Sequence, residues 1–227
     1  MRNSTPSKED LRRRIIGCRL CPRLVEYRQS APPRSSFAHQ TYWRRPVPGF
    51  GDIDGRLLVI GLAPATNGGM RTGRIFTGDA SSAFLVSALH RAGFASQPNS
   101  DSLDDGLVYR DCYLTAAVKC APPADKPSPQ EFANCSHYLD EEVHLMRNLQ
   151  AVLALGALAF RAYRSHLSRM WASTRGMTFA HGVVFAFRGL PLLYASYHPS
   201  PRNTNTGKLT PEMLDNLLGR IKHELSP

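Results

Sequence analysis

The cysteines are the residues of this sequence whose spacing most directly implies chemistry. Cys18 and Cys21 form a C-x2-C pair near the N-terminus, and Cys120 and Cys135 form a second pair much later in the chain. A C-x2-C turn directs two thiolates at one ion or cluster, so the two pairs together can bind zinc or an iron-sulfur cluster. Spacing alone leaves both open. Unrelated buried thiols are disfavoured because a close pair followed by proline is uncommon by chance.

A loop rich in glycine, alanine and threonine follows the apolar run that ends at Leu62, and it contains one carboxylate, Asp79. Such a loop lets backbone amides approach a ligand and places a helix N-terminus beside it. It contains neither a Gly-Lys-Ser/Thr triplet nor a dinucleotide fingerprint, which disfavours enzymes that use nucleotide cofactors. Asp79 fits either a helix N-cap or a catalytic carboxylate. Phe76 fits either a core residue or a ring on which a flat base stacks.

A second candidate site begins at His198, directly after the apolar run that ends at Tyr197. A histidine in this place is either a hydrogen-bonded structural residue or a catalytic one. The segment that follows is rich in Asn, Thr and Gly and carries Arg202 and Lys208. Short donors and two cations suit contact with a sugar-phosphate backbone, which favours the catalytic interpretation.

The elements that must position these residues alternate between strands and helices. Four apolar runs predict buried strands: Leu57 to Leu62, Cys112 to Val118, Ala151 to Leu155 and Leu192 to Tyr197. Four stretches predict helices: Ala80 to Ala92, Gln130 to Leu149, Ala157 to Leu167 and Pro211 to about Leu225. This alternation predicts an α/β fold in which helices cover both faces of a parallel sheet.

Three further features complete the predicted organisation. Val183 to Phe187 is expected to add a hairpin strand at one edge, and the proline-rich residues 31–49 are expected to form an extended surface loop. Cys112 is interpreted as a small core residue. Because ligands bind beyond the carboxyl ends of parallel strands, the segments after Leu62, Lys119 and Tyr197 should face one cleft.

The composition predicts a globular protein that binds a polyanion. The 227 residues suffice for one sizeable core, so we expect a single domain over residues 1–227 with a short N-terminal arm. No apolar run approaches the ~20 residues that cross a bilayer, and no secretory signal is visible, so a cytoplasmic protein is expected. The net charge of +10 favours nucleic acid, although a merely basic protein or a membrane-surface binder has the same composition.

Five segments together resemble the uracil-DNA glycosylase superfamily, and most closely its family 5, the type B enzymes of bacteria and archaea. They occur in the family's order between Cys18 and Met213, and they read CRLCPRLV, PVPGFGD, GLAPATNGGMRTGRIFTGD, YLTAAVKCAPP and SYHPSPRNTNTGKLTPEM. The resemblance implies a three-layer α/β/α domain around a mainly parallel four-stranded sheet. It also implies that Cys18, Cys21, Cys120 and Cys135 bind a [4Fe-4S] cluster.

The resemblance further implies a monofunctional enzyme of base excision repair. Such an enzyme hydrolyses the N-glycosidic bond of uracil in DNA and leaves the strand uncut, and type B members accept other deaminated bases such as hypoxanthine. The first motif, Gly61 to Ala65, lacks a carboxylate, so by similarity Asp79 orients or activates water. The sequence departs from many type B members, which carry histidine and asparagine where this chain has Asn67 and Met70.

The remaining roles follow from the chemistry of breaking this bond. Phe76 is expected to stack on a flipped base, and His198 to donate to the base oxygen as negative charge develops. Asn203 is expected to position water or a phosphate. Backbone groups are expected to bind the edge of the base, namely those of Ala63, Pro64 and Ala65. Four cations are predicted to bind DNA, namely Arg71, Arg74, Arg202 and Lys208.

Several alternatives stay open at this point. A Schiff base on Lys119 or Lys208 would make the enzyme a lyase, but neither residue has an evident feature that lowers its pKa. Trp43, Arg44 and Arg45 either extend the DNA surface or form a solvated charged patch around a core tryptophan. A non-catalytic zinc module that binds nucleic acid is the main rival function, and an enzyme of small nucleotides is the next. A monomer that binds damaged DNA and no membrane is expected.

Overall fold

A six-stranded sheet runs through the centre of the fold, in the order β1-β3-β2-β4-β6-β5. The computed structural model describes residues 7–170 and 172–226, so the predicted domain ends, residues 1 and 227, and the start of the predicted arm lie outside it. The strands are β1 (Phe50–Gly51), β2 (Leu57–Gly61), β3 (Cys112–Ala116), β4 (Ala151–Leu155), β5 (Val184–Phe187) and β6 (Leu190–Ser196).

The four predicted strands form the parallel centre of this sheet. β2 pairs in parallel with both β3 and β4, and β4 pairs in parallel with β6. The predicted hairpin is also confirmed, because β5 lies antiparallel to β6 at one edge. At the other edge β1 lies antiparallel to β3, and it was not predicted because two residues show no alternation.

Helices fill the connections between the strands. They are α1 (Lys8–Gly17), α2 (Pro22–Ser30), α3 (Gly69–Thr72), α4 (Ala80–Arg91), α5 (Pro129–Leu145), α6 (Ala157–Arg169), α7 (Pro201–Thr204) and α8 (Pro211–Glu224). Ser128 caps α5 by accepting a hydrogen bond from Glu131 N, and Thr210 caps α8, both at the predicted starts. α5 ends at Leu145, before the predicted Leu149, because the chain then turns so that Gln150 N donates to Arg56 O.

The predicted N-terminal arm contains two helices, which is a correction to the sequence-based expectation. α1 has few apolar residues, but Leu11 and Ile15 are buried in one cluster with Tyr138 of α5. α2 begins at Pro22, immediately after Cys21, and proline is favoured at the first position of a helix. The two helices therefore depend on contacts with distant residues, which their own sequence does not reveal.

Alternating residues of the strands build a core on each face of the sheet. Leu57 and Val59 of β2 belong to one buried cluster, and Leu58 and Ile60 to another. The first cluster includes residues of α4 and α8, and the second includes residues of α5 and α6. The predicted three-layer arrangement is confirmed, and Cys112 is a fully buried core residue as predicted. Within the described residues, no helix is both long and apolar enough to span a membrane.

Residues 31–49, which we call the strap, are only partly the surface loop that was predicted. Tyr42 and Val47 are buried. Trp43 N donates to Arg71 O at 3.0 Å, and Val47 N donates to Lys119 O at 2.7 Å. The strap thus gains backbone hydrogen bonds by lying across the loops that follow β2 and β3, which explains why it is buried there.

Candidate active site

The predicted site residues lie at one edge of the sheet, where the parallel strands have their carboxyl ends. The chain leaves β2 toward β3 and leaves β4 toward β6, so the connections after these two neighbouring strands run in opposite directions. Ligands of parallel sheets bind in the crevice at such a point of reversal. Gly61 is the last residue of β2, and Gly156 directly follows β4. Both strand ends beside the crevice therefore carry no side chain.

Phe76 lies over the end of β2. A Cβ on Gly61 would be 2.6 Å from Phe76 Cζ, so the ring needs a glycine there. The backbone of Phe76 has a φ of +50°, a left-handed conformation that costs a bulky residue about 1–3 kcal/mol. Ser100 Oγ donates to the Phe76 carbonyl at 2.9 Å and helps to hold it. Phe76 is 8% exposed and belongs to the core cluster that includes α4 and α8, so the core interpretation holds. The predicted stacking role remains a prediction.

Asp79 precedes α4 and uses its two carboxylate oxygens differently. Oδ1 accepts a hydrogen bond from Ser82 N at 2.8 Å, so the N-cap interpretation holds for this oxygen. Oδ2 lies against Gly68, where any Cβ would clash with it. Burial raises the pKa of Asp79, while hydrogen bonds from Ser82 and the charge of Arg71 oppose the rise. The same side chain can therefore cap the helix and still present an oxygen to a ligand.

A cavity of about 530 Å³ opens beside Asp79. Its wall includes Arg34 and Phe37 of the strap together with Asn67 of the loop after β2. His198 is not among the residues that line it. The cavity therefore places Asp79 next to the strap.

Arg71 has a structural role that corrects its predicted place on the DNA surface. Its guanidinium donates to Asn67 O at 2.8 Å, to Gln40 Oε1 at 2.7 Å and to Gly78 O at 2.8 Å. The side chain is largely buried, and the ring of Phe37 covers it at 4.0 Å. All of these donors thus bond to acceptors within the protein. One of the acceptors, the Gly78 carbonyl, directly precedes Asp79.

Arg74 is likewise removed from the predicted DNA surface. Only 1% of its side chain is exposed, and its guanidinium forms an ion pair with Asp105 at 2.6 Å. It also donates to Thr77 Oγ1 at 2.8 Å and to Ser100 Oγ at 3.0 Å. Although burial opposes the effect, Arg74 and nearby backbone N–H groups hold the pKa of Asp105 well below its usual range. Arg74 therefore ties the loop before Asp79 to the segment around residue 105.

His198 follows β6 and lies over the end of β4. A Cβ on Gly156 would be 3.2 Å from the His198 Cβ, and Gly156 has a φ of +91° that suits glycine. Burial lowers the pKa of His198, while the charge of Asp125 opposes the change. Asn203 Nδ2 donates to the His198 carbonyl at 2.8 Å, so Asn203 holds the backbone of the histidine.

Phe76 and His198 thus mark the ends of two neighbouring strands. β2 and β4 are paired over four residues, and paired strands lie about 4.8 Å apart. Asp79 follows Phe76 by three positions on the same loop. The topology brings the carboxylate and the imidazole to one edge of the sheet, as predicted, while their convergence on one ligand remains a prediction.

The segment from Ala63 to Ala65 lies at the same edge. The Ala65 carbonyl accepts hydrogen bonds from Gly68 N at 3.2 Å and Met70 N at 3.0 Å, which folds the segment into a tight turn. Ala63 packs beside the cysteines, and Pro64 is buried. The contact of this backbone with the edge of a base remains a prediction.

Both departures from the type B pattern contact the strap, and Asn67 also lines the cavity beside Asp79. Asn67 Oδ1 accepts hydrogen bonds from Tyr42 Oη at 2.8 Å and from Arg34 N at 3.3 Å. Met70 is buried in a small cluster with Tyr42 and Ala121. Both side chains therefore serve to attach the strap.

Arg202 and Lys208 are exposed on the loop that follows His198, as a DNA-binding role requires. Lys208 Nζ lies 4.8 Å from the ring centre of Tyr197, and His181 stacks on the same tyrosine at 5.4 Å. A tyrosine ring that contacts both a lysine and a histidine was not predicted from the sequence. No local pattern links His181 to Tyr197, because β5 and β6 lie between them.

The predicted extension of this surface by the strap is only partly supported. Arg44 donates to the carbonyls of Arg28, Gln29 and Ala31, so it holds the end of α2. Arg45 is exposed and lies over the half-buried ring of Trp43 at 5.5 Å. Of the two arginines, only Arg45 is free to face a polyanion.

The four cysteines predicted as ligands share one apolar cluster with Leu11, Ile15 and Leu24. All of them are free thiols. Burial raises the pKa of Cys120 to about 11 and that of Cys135 to about 12, and the neighbouring thiols add to both shifts. The two pairs, distant in sequence, therefore meet in space.

Hydrogen-bond donors are directed at the predicted ligand thiols. Arg28 Nη1 lies 3.3 Å from Cys120 Sγ, and Asn134 Nδ2 lies 3.4 Å from Cys21 Sγ. Among residues 7–170 and 172–226, no group of three or more His, Cys, Asp or Glu side chains is arranged to hold a metal ion. Four thiols with donors directed at their sulfurs suit thiolate ligands of a metal or of an iron-sulfur cluster.

Lys119 is buried away from the crevice. Its Nζ lies 2.7 Å from Glu142 Oε2 and 2.5 Å from Thr115 Oγ1, and its side chain is 1% exposed. A Schiff base needs an amine that reaches the anomeric carbon, and this amine is buried against a carboxylate. The disfavoured role of Lys119 in a lyase reaction therefore gains no support.

Comparison with known proteins bears directly on this site. Residues 48–222 match the model of the Uracil DNA glycosylase superfamily. The Type-5 uracil-DNA glycosylase of Pyrobaculum aerophilum is 48% identical over 212 residues, which cover 93% of this chain and 91% of that protein. The Type-5 uracil-DNA glycosylase of Thermus thermophilus is 45% identical over 209 residues, or 92% and 94% of the two chains. The Type-4 uracil-DNA glycosylase of Thermotoga maritima is 32% identical over 114 residues, about half of each chain.

Proposed function

This chain belongs to the uracil-DNA glycosylase superfamily, and from that membership we propose that it hydrolyses the N-glycosidic bond between deoxyribose and uracil in DNA. The resemblance to family 5 is confirmed, since relatives named type-5 match most of the chain. The observation that carries the proposal is the crevice between β2 and β4, with Phe76 over Gly61 and His198 over Gly156. Other deaminated bases are included in the proposed substrate range.

A base within the duplex cannot reach this crevice, so the target nucleotide must be flipped out. Flipping costs a few kcal/mol and is easiest at a mismatch or damaged base. The ring of Phe76 is the proposed stacking surface, and the backbone of Ala63, Pro64 and Ala65 is the proposed partner of the base edge. The strained backbone of Phe76 supports this role, because such strain is concentrated at functional sites.

We assign Asp79 to the water and the sugar. Oδ2 accepts a proton from water while the water oxygen forms a bond to the anomeric carbon, and the carboxylate stabilises positive charge on the sugar. The bond from that carbon to the base nitrogen breaks, and its electron pair leaves with the base. The cap hydrogen bond from Ser82 to Oδ1 supports this assignment, since it fixes the carboxylate in one orientation.

We assign His198 to the departing base. Since burial lowers its pKa, the imidazole is neutral near pH 7, and its N–H can donate to the base oxygen as negative charge develops. A donor of this kind contributes about 3 kcal/mol. Asn203 holds the His198 backbone through Nδ2, which leaves its Oδ1 for water or a nearby group.

The DNA surface in this proposal consists of Arg202 and Lys208, to which exposed Arg45 adds a further cation. The net charge of +10 supports binding of a polyanion. Arg71 and Arg74 are omitted because their guanidinium groups are committed within the protein. The enzyme is proposed to be monofunctional, since Lys119 is buried against Glu142.

We further propose that Cys18, Cys21, Cys120 and Cys135 hold a [4Fe-4S] cluster. The cluster would supply a covalent link between the N-terminal helices and the segment from residue 120 to 135. The shared apolar environment and the sulfur-directed donors support this assignment. The free thiols also suit a reducing compartment such as the cytoplasm, and a monomer bound to DNA is the proposed working state.

Incubation with defined oligonucleotides tests the proposal. Purified full-length protein is mixed with duplexes that hold one uracil, hypoxanthine or xanthine, and alkali then cleaves any abasic site. Uracil excision without strand cleavage before alkali is expected. Borohydride trapping on abasic DNA should give no covalent adduct. A protein that binds DNA, lacks iron and releases no base would instead support the zinc-module alternative.

A further inference from the structure

A buried arginine contacts the cysteines from the side of α2. Arg28 is 6% exposed, and its Nη1 lies 3.3 Å from Cys120 Sγ. Its Nη2 donates to the carbonyl of Cys18 at 3.2 Å. One guanidinium therefore contacts both cysteine pairs, although the pairs are far apart in sequence.

Among the residues that the structure describes, Arg71 and Arg28 are both buried arginines without an ion pair, but their acceptors differ. Arg71 donates to three oxygen atoms at 2.7 to 2.8 Å. Arg28 has one carbonyl oxygen at 3.2 Å and one sulfur.

The other buried cations have carboxylate partners. Arg74 is paired with Asp105 at 2.6 Å, and Lys119 with Glu142 at 2.7 Å. Within the described part of the chain, Arg28 forms no ion pair with an Asp or Glu. A buried charge is costly unless an opposite charge or good hydrogen bonds offset it. The groups that face the Arg28 guanidinium are a carbonyl and a sulfur. The negative charge that offsets the guanidinium must therefore lie on the cysteine sulfurs or on the group that they bind.

We infer that Arg28 is the counter-charge of a cysteine-bound iron-sulfur cluster and raises its reduction potential. This inference rests on the cluster assigned above. Four thiolates bring more negative charge than the iron-sulfur core offsets, so the loaded site is anionic and becomes more so on reduction. A nearby cation stabilises the reduced form more than the oxidised form, and hydrogen bonds to cluster sulfurs act in the same direction.

Asn134 provides a neutral comparison within the same site. Its Nδ2 lies 3.4 Å from Cys21 Sγ and also donates to Leu20 O at 3.2 Å. It therefore repeats the contact pattern of Arg28 without the charge. Comparing the two residues separates the effect of a sulfur-directed hydrogen bond from the effect of a buried charge.

The experiment compares Arg28→Gln with Arg19→Gln in the full-length protein purified without oxygen. Both variants lose one positive charge, but Arg19 is exposed between the two cysteines of the first pair, where solvent screens it. Iron and acid-labile sulfide per chain are measured first, and the reduction potential is then measured by spectroscopic titration. At the potential that half-reduces the wild-type cluster, we expect less than one-tenth of the R28Q cluster to be reduced, a downward shift of about 59 mV or more. The reduction potential of R19Q should match that of the wild type. The potential of Asn134→Ala should shift less than that of R28Q.

The outcomes separate this inference from the cluster assignment. A wild-type protein without iron and sulfide would overturn both. A loaded wild-type protein with equal potentials in R28Q and R19Q would overturn the role of Arg28 alone. If R28Q does not fold, Arg28→Lys decides, since it keeps the charge with fewer hydrogen bonds. We expect R28K to retain the cluster with a small downward shift, and its loss of the cluster would contradict a role based on charge.

Discussion

Asp79 combines two tasks in one side chain, because one oxygen caps α4 and the other lies beside Gly68. We predict that Asp79→Asn reduces single-turnover uracil excision at least about 100-fold, since asparagine cannot accept the proton from water. Asparagine is as good an N-cap as aspartate, so the thermal midpoint should change little. Affinity for DNA with an abasic site should also persist. Excision at the wild-type rate would remove Asp79 from the mechanism.

The second prediction concerns the effect of Arg71 on the pKa of Asp79. Burial raises the pKa of Asp79, and Arg71 opposes that rise, so Arg71→Gln should raise this pKa further. The carboxylate must be ionised to accept a proton. The acidic limb of the single-turnover rate should therefore move to higher pH in R71Q, with the difference largest at low pH.

The control for this prediction is Arg188→Gln, which removes an exposed charge from the turn between β5 and β6. Its pH profile should match that of the wild type. An R71Q profile that is lowered equally at every pH would indicate a purely structural role for Arg71.

At the scale of elements, the central strands and their helices are predictable, because runs such as Leu57 to Leu62 are buried on both faces. The crevice residues Asp79 and His198 are predictable as well, since they follow strand ends. The roles of Arg71 and Arg74 are not, because exposed and buried arginines look alike in sequence. The partner of Arg74 is Asp105, 31 residues away, and no local pattern connects them.

The N-terminal helices show the same limit. Their burial depends on α5 and on the cysteines, so neither propensity nor periodicity reveals it. The left-handed backbone of Phe76 is equally hidden, since phenylalanine rarely adopts it. Its signal was indirect and lay in Gly61, whose missing side chain makes room for the ring.

The end of β2 provides a third prediction. Gly61→Ala places a Cβ 2.6 Å from Phe76 Cζ, so the ring must shift from its position over the end of β2. We expect uracil excision to fall at least about 10-fold, because misplacement by about 1 Å can cost 100-fold in rate. Gly219→Ala is the matched control: nothing would lie within 4 Å of its Cβ on α8, and it should leave excision unchanged. Equal excision by G61A and wild type would argue against Phe76 as the stacking ring.

At the scale of the whole molecule, the excess of positive charge predicts a strong dependence of DNA affinity on salt. Each phosphate contact changes the slope of log K against log salt by about one. The double variant Arg202→Gln, Lys208→Gln should therefore have a slope that is shallower by about two. Equilibrium titrations of DNA at several salt concentrations measure this. Arg188→Gln is the control, because Arg188 is exposed in the β5–β6 turn, at the amino end of β6. If R188Q changed the slope by about one, as much as each substitution in the loop, overall charge rather than this loop would control binding.

The glycines at the ends of β2 and β4 have a consequence for how such an enzyme diversifies. The strands themselves contribute no side chain to the floor between them, since Gly61 and Gly156 stand there. The outline of the space is set by the segments that leave on either side, and each can lengthen or change composition while the sheet stays as it is. Selection for a new lesion can therefore reshape the rim on one side while the sheet beneath it stays unchanged.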